Sequence, residues 1–116
     1  MRYGLLIYTN EGDRPEWGTP SGDAEAQAYG ELQVEMIDTK VFRSGDPFLR
    51  VAEAKSVSVR DGKTRVEDGP AVDTPLQLGG YYIVECDTID EATALAAKIP
   101  GAAYGKIEVR PVMEFS

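Results

Sequence analysis

The sequence predicts an α+β fold in which two split βαβ halves share one antiparallel sheet, and three observations support this prediction. A strand-like apolar run occupies 3–9, near the start of the chain. A helix pattern that begins at Thr88 is followed by an alternating strand at 106–112. Between these halves, Asp61-Gly62 is the residue pair favoured in a two-residue hairpin turn. A chain of 116 residues is expected to form one domain, 1–116.

The first half of the chain reads as a strand, a loop and a long helix. Residues 3–9 are apolar on both faces, which is typical of a central strand. Residues 10–22 hold several glycines and prolines and form a loop. Trp17 in this loop either packs against the domain or contacts a ligand. From about 23 to 42 the apolar residues recur at helical spacing, and Gly45-Asp46-Pro47 ends that region.

The middle of the chain reads as a hairpin and a long loop. Residues 48–54 favour a short extended segment. Residues 56–60 alternate as in a half-buried strand, and 63–67 form the return strand. The glycines and prolines of 68–79 predict a loop, and Gly80 leads into a strand at 81–86.

The last helix carries its own start and stop signals. Thr88 and Glu91 form a capping box, in which the threonine hydroxyl accepts from a backbone amide and the glutamate reaches back. An apolar stripe follows, made of Ala92, Leu95, Ala96 and Ile99. Pro100-Gly101 stops the helix. In the final strand Lys106, Glu108 and Arg110 alternate with apolar residues.

This order of elements is the ferredoxin-like plan, and right-handed crossovers place both helices on one face of its sheet. The opposite face then needs a cover. The residues that exceed what two short helices can bury are Tyr3, Leu5, Ile7, Tyr81 and Ile83. A second copy of the sheet would cover them, so we expect a two-fold homodimer.

Composition excludes several classes of partner. The net charge of −8 argues against nucleic acid and against an anionic membrane surface. No apolar run approaches 18 residues, and the N-terminus lacks the features of a signal peptide. The single Cys86 reads as a small buried hydrophobe and fits a reducing compartment, so we expect a cytoplasmic location.

Histidine is absent from the sequence. Serine and cysteine triads that depend on imidazole are therefore excluded, as are zinc sites built on Cys and His. The acidic residues do not follow the spacing of a calcium loop. We expect neither a metal nor a cofactor.

Two segments carry a family resemblance. Asp68-Gly69-Pro70 opens the loop that runs into Gly79-Gly80-Tyr81-Tyr82, and Glu108 to Val112 read Glu-Val-Arg-Pro-Val. Together with the start from Tyr3 to Tyr8, they resemble the YCII-related proteins, specifically the branch named for its Asp-Gly-Pro-Phe motif. The resemblance spans nearly the whole chain and implies a ferredoxin-like dimeric α/β barrel.

The resemblance has further implications for function. Similarity to muconolactone-isomerase-like barrels has suggested a His-Asp pair, which this chain cannot form without histidine. Relatives linked to extracytoplasmic-function sigma factors imply a regulatory protein partner. The chain also departs from the motif, with Ala71 for the phenylalanine, Asp73 for a glutamate and Pro75-Leu76 for Lys-Glu. The motif lysine is therefore missing here, together with any chemistry that depends on it.

The candidate site residues each have a functional and a structural interpretation. Asp68 is a candidate acid/base, or else part of an Asp-Gly-Pro turn. Asp73 and Thr74 either meet a ligand or form an Asx-type turn. Glu108 and Arg110, with Tyr8 or Tyr82, either line a polar pocket or make a structural ion pair.

The sequence therefore favours a homodimer that binds a small organic molecule between sheet, helices and the 68–79 loop. Acid/base catalysis would fall to Asp68, with Arg110 stabilising a developing oxyanion. The alternative is a non-catalytic interaction or regulatory module.

Overall fold

The computed structural model describes residues 1–115 and shows a four-stranded antiparallel sheet with two helices on one face, plus a separate hairpin. The elements in chain order are β1 (Arg2–Thr9), α1 (Pro20–Asp38), β2 (Phe42–Pro47), β3 (Lys55–Arg60), β4 (Lys63–Asp68), β5 (Gln77–Glu85), α2 (Ile89–Ala96) and β6 (Lys106–Pro111). The strand order β2-β5-β1-β6 puts β1 at the centre, as predicted. The ferredoxin-like α+β fold is confirmed.

The prediction of a helix to residue 42 is wrong, because α1 ends at Asp38 and 42–47 form β2. Lys40 adopts a φ of 64° after the helix, and its amide donates to the carbonyl of Ile37. The amide of Val41 donates to the carbonyl of Met36, which completes a Schellman motif. Lysine at a position where glycine is usual conceals this stop signal.

The Asp61-Gly62 turn is confirmed, with φ values of 52° and 74°. The predicted half-burial of the hairpin is wrong, because β3 and β4 pair with each other in their own two-stranded sheet. Val57, Val59 and Val66 are exposed. β2 occupies the edge of the main sheet instead, where the missing amide of Pro47 is tolerated.

The core lies between the helices and one face of the sheet. Its buried members are Tyr3, Leu5, Ile7, Leu32, Met36, Tyr82, Val84, Cys86, Ala92, Ala96 and Ile99. Tyr3, Leu5 and Ile7 therefore face the helices, and their expected place on the uncovered face is wrong. Strand side chains alternate, so Leu6 and Tyr8 take the uncovered face. Tyr81 and Ile83 pair with Leu6 and Gly4 and lie there as expected.

The α2 capping box is confirmed. Thr88 Oγ1 accepts from the amide of Glu91 at 3.2 Å, and Glu91 Oε2 accepts from the amide of Asp87 at 3.0 Å. Cys86 is buried, as predicted, and burial raises the pKa of its thiol. Within residues 1–115, neither helix has the length and apolar character of a membrane span.

Candidate functional site

A cleft of about 330 Å³ opens between α1, the helix-facing side of the sheet and the loop that precedes α1. Its wall is formed by Ile7, Thr9, Arg14, Pro15, Trp17, Gly22, Glu25, Ala26, Tyr29, Gln33, Gly45, Asp46, Pro47, Gly79, Gly80, Tyr81, Tyr82 and Tyr104. The volume is at the lower end of the range of about 300–1,000 Å³ for small-molecule sites. We refer to it as the α1 cleft.

The loop at 10–19 is fixed to the helix that follows it. Thr19 Oγ1 donates to the carbonyl of Glu16 at 2.6 Å and accepts from the amide of Gly22 at 3.1 Å. Glu11 ties the same loop to a neighbouring segment, because its carboxylate accepts from the amide of Val51 at 2.9 Å. These bonds hold Arg14 and Trp17 at the cleft.

The floor of the α1 cleft depends on glycines that let larger groups approach. A Cβ at Gly45 would lie 2.5 Å from Cδ1 of Tyr82 and 2.8 Å from the carbonyl oxygen of Tyr81. Glycine at this position therefore allows the Tyr82 ring to cross β2. On β5, the register with β1 shifts between Ile7 and Tyr8, which leaves Gly79 in a bulge beside the cleft.

Two tyrosines and a glutamate form the polar end of the cleft. Tyr104 donates its hydroxyl proton to Glu25 Oε1 at 2.5 Å. Burial raises the pKa of Tyr29 to about 12, an effect that the Gly101 backbone partly opposes. Burial and the bond to Glu25 also raise the pKa of Tyr104. Both phenols therefore keep their protons at neutral pH and serve as hydrogen-bond donors.

Trp17 lies at the mouth of the α1 cleft with 95% of its surface exposed. It does not pack against the body of the domain, so the expectation of a tucked aromatic is wrong. An exposed indole beside a cavity offers a flat apolar surface to a ligand.

Only Tyr82 among the sequence-predicted site residues lines the α1 cleft. Tyr8, Glu108 and Arg110 lie on the opposite, uncovered face, where the register pairs Tyr8 with Lys106 and Leu6 with Glu108. Arg110 makes an ion pair with Glu108, which agrees with the structural interpretation of these two residues. In a single chain these residues do not meet Tyr82.

Asp68, Asp73 and Thr74 also lie outside the α1 cleft. Asp68 ends β4, pairs with Lys55 Nζ at 2.5 Å and has an 87% exposed side chain. Gly69 follows with a φ of 105°, as an Asp-Gly turn requires. Thr74 donates its hydroxyl proton to the carbonyl of Leu76 at 2.7 Å, which is local turn bonding. The role of these three residues as site residues stays a prediction.

Sequence reasoning missed most of the α1 cleft. Arg14, Glu25, Tyr29 and Tyr104 come from three separate segments, and the chain offers no motif that joins them. The one signal in the sequence was Trp17, because one of its two interpretations was contact with a ligand, and Trp17 does line the cleft. No grouping of three or more carboxylate or thiol side chains that could hold a metal occurs in residues 1–115.

Comparison with known proteins gives the relationship of the chain. Residues 1–116 match the YCII-related domain family. An uncharacterized protein of Rhizobium meliloti (strain 1021) is 26% identical over 114 residues, which cover 97% of this chain and 92% of the relative. The narrower Asp-Gly-Pro-Phe branch stays a prediction. Since the match extends over the whole sequence, the chain belongs to the YCII-related domain family.

Proposed function

We propose that this protein binds a small organic molecule in the α1 cleft. The observation that carries the proposal is a cavity of about 330 Å³ on which a guanidinium, two phenols and a carboxylate converge. Ligand sites typically combine an apolar wall with a few such polar groups. Pro15, Trp17 and Ala26 supply the apolar part here.

The same cleft contains the groups for proton transfer, if the bound molecule reacts. Glu25 accepts a hydrogen bond from the hydroxyl of Tyr104, so a carboxylate base and a phenol donor lie next to each other. This pair is a better placed candidate than Asp68, which is exposed and neutralised by Lys55 on the hairpin. Catalysis by this pair would require that a small molecule binds in the α1 cleft.

A cleft-filling variant tests the binding proposal. Ala26→Trp places a large side chain in the cavity, whereas Ala24→Trp makes the same change at an exposed α1 position that does not line it. A library of ring-sized compounds is screened by ligand-observed NMR. We expect binders that the Ala24→Trp protein retains and the Ala26→Trp protein loses. Binders that persist in Ala26→Trp, or an absence of binders to the native protein, would contradict the proposal.

We also propose that the chain acts as a homodimer. The uncovered sheet face carries Leu6, Tyr8, Tyr81 and Ile83 side by side, and all four are half-buried in the single chain. Gly4 lies under Ile83 and Leu6, whose side-chain atoms would be 3.8 Å from a Cβ at that position. A contiguous apolar surface of this kind is usual for an interface.

The exposed hairpin favours a second function, as an interaction module. Val57 pairs with Val66 across β3 and β4, and both are more than half exposed, at 65% and 57%. A two-stranded hairpin without a cover is marginally stable in water. A regulatory protein, as implied by the sigma-factor link of relatives, would use this surface. A complex with such a regulatory protein that stays stable after Val57 and Val66 are changed to threonine would contradict this second function.

A further inference from the structure

We infer that the ligand of the α1 cleft carries a carboxylate, which Arg14 binds. The inference rests on the proposed function and names its substrate class. Arg14 lines the cavity beside Tyr29, Tyr104 and Trp17. Its Nη1 would lie 3.8 Å from a Cβ at Gly79, so the guanidinium sits over the bulge of β5.

Arg14 differs from the other arginines in its lack of an acceptor. Within residues 1–115, the other six guanidiniums each meet a carboxylate or a carbonyl. Those six are Arg2, Arg43, Arg50, Arg60, Arg65 and Arg110. The guanidinium of Arg14 has no such hydrogen bond or ion pair in the part of the chain that the structure describes. In a chain of net charge −8, a cation that faces a cavity without a carboxylate partner is notable.

The carboxylate of the cleft does not fill this role. Glu25 accepts a hydrogen bond from Tyr104, and within residues 1–115 it makes no ion pair with Arg14. The planar fork of arginine matches the two oxygens of a carboxylate, and such charge-assisted bonds are about twice as strong as neutral ones. A ligand carboxylate would therefore supply the hydrogen-bond acceptor that the protein does not provide for the guanidinium of Arg14.

The remaining groups limit the ligand further. The carboxylate of Glu25 lines the cavity, so a doubly charged anion such as a phosphate ester would be repelled more strongly than a single carboxylate. Tyr29 retains its proton and can donate to an acceptor on the ligand. With a volume of about 330 Å³, the cleft fits a ring-sized monocarboxylic acid.

The chain supplies its own reporter for the test. It contains one tryptophan, so the indole N–H of Trp17 gives a single NMR cross-peak at the mouth of the cleft. Benzoate and phenylacetate are titrated beside benzamide and phenylacetamide, which have nearly the same shape without the charge. We expect the acids to shift the Trp17 peak. The amides should need at least a tenfold higher concentration to produce the same shift.

Variants of Arg14 assign the effect to the guanidinium. Arg14→Gln should weaken binding of the acids by at least tenfold and leave the amides unchanged. Arg14→Lys should fall between, because lysine keeps the charge and loses the fork. Arg60→Gln removes one positive charge from the hairpin, which does not line the cleft, and should behave as the native protein.

The outcomes separate this inference from the binding proposal. Amides that bind as tightly as the acids, or acids that bind Arg14→Gln undiminished, would overturn the carboxylate assignment and leave the cleft as a binding site for neutral molecules. If none of the four probes moves the Trp17 peak at millimolar concentration, the carboxylate assignment is also overturned. The fate of the wider proposal then depends on the compound screen with Ala26→Trp.

Discussion

At the scale of single residues, burial sets the chemistry of the α1 cleft. Tyr29 and Tyr104 lie between α1 and the Pro100–Ala103 turn region, and removal from water disfavours their charged forms. Gly101 allows this packing, because a Cβ there would lie 3.2 Å from the Tyr29 hydroxyl and 3.2 Å from Cγ2 of Ile7. These two phenols are therefore neutral hydrogen-bond donors at the cleft.

The raised pKa of Tyr29 predicts a loss of stability at high pH. A tyrosine in the unfolded chain titrates near pH 10, whereas in the fold the pKa of Tyr29 is about 12. The unfolded state releases its proton first, so the stabilisation is complete below about pH 10 and decreases towards pH 12. Urea unfolding between pH 9 and about 11.5 measures this decline.

Tyr29→Phe removes the titrating group, so we expect its stability to decline less steeply over the same pH interval. Tyr104→Phe should act in the same direction, since the pKa of Tyr104 is also raised. Stability curves that run parallel for the native protein and both variants would show that these phenols do not titrate differently in the two states.

At the scale of elements, Thr19 connects the start of α1 to the cleft loop. It caps the helix through the amide of Gly22 and holds the carbonyl of Glu16 with its hydroxyl proton. Gly22 has to be glycine, because a Cβ there would lie 1.9 Å from that carbonyl oxygen. One side chain thus fixes both a helix terminus and the loop that carries Arg14.

Thr19→Ala should destabilise the fold by about 1 kcal/mol and also disturb the cleft. Thr88→Ala is the matched control, because it removes the N-cap bond of α2 to Glu91 and does not line the cleft. We expect similar losses of unfolding free energy in urea for both variants. Only Thr19→Ala should shift the Trp17 indole peak. An equal shift in both variants would contradict the role of Thr19 in the loop.

At the scale of the whole molecule, the chain is flat and extended. Its extents are 47 × 46 × 18 Å, and its radius of gyration is 16.0 Å. A compact chain of this length would have about 13 Å. The β3–β4 hairpin forms a separate sheet, and both helices lie on one face of the main sheet, which leaves its other face bare. Such a shape exposes apolar surface that a second copy would cover.

The dimer proposal predicts a mass of twice 12.6 kDa in light scattering. Ile83→Lys places a charge on the uncovered sheet face and should yield a folded monomer. Ile37→Lys is the control, because Ile37 is a 51% exposed residue of α1 on the helical side. It should leave the dimer intact. A native mass of 12.6 kDa, or dimers that survive Ile83→Lys, would contradict the proposal.

Local signals in the sequence were sufficient for most of the fold. The capping box at Thr88 and Glu91, the Asp61-Gly62 turn and the alternation of 106–112 each depend on neighbours in the chain, and each appears in the structure. The end of α1 was missed because Lys40 adopts a left-handed conformation that favours glycine. The sequence also did not show which segment pairs with β5, because 42–47 and 56–60 both suit an edge strand.

The sequence by itself determined the family, the ferredoxin-like plan and the lack of imidazole chemistry. Only the tertiary structure decided where the site lies. Arg14, Glu25, Tyr29 and Tyr104 meet because β1, α1 and the segment after α2 pack against each other, and contacts of this kind leave no spacing pattern in the chain. The tertiary structure also decided that Asp68 lies on a separate hairpin outside the α1 cleft, while β2 forms the edge of the main sheet.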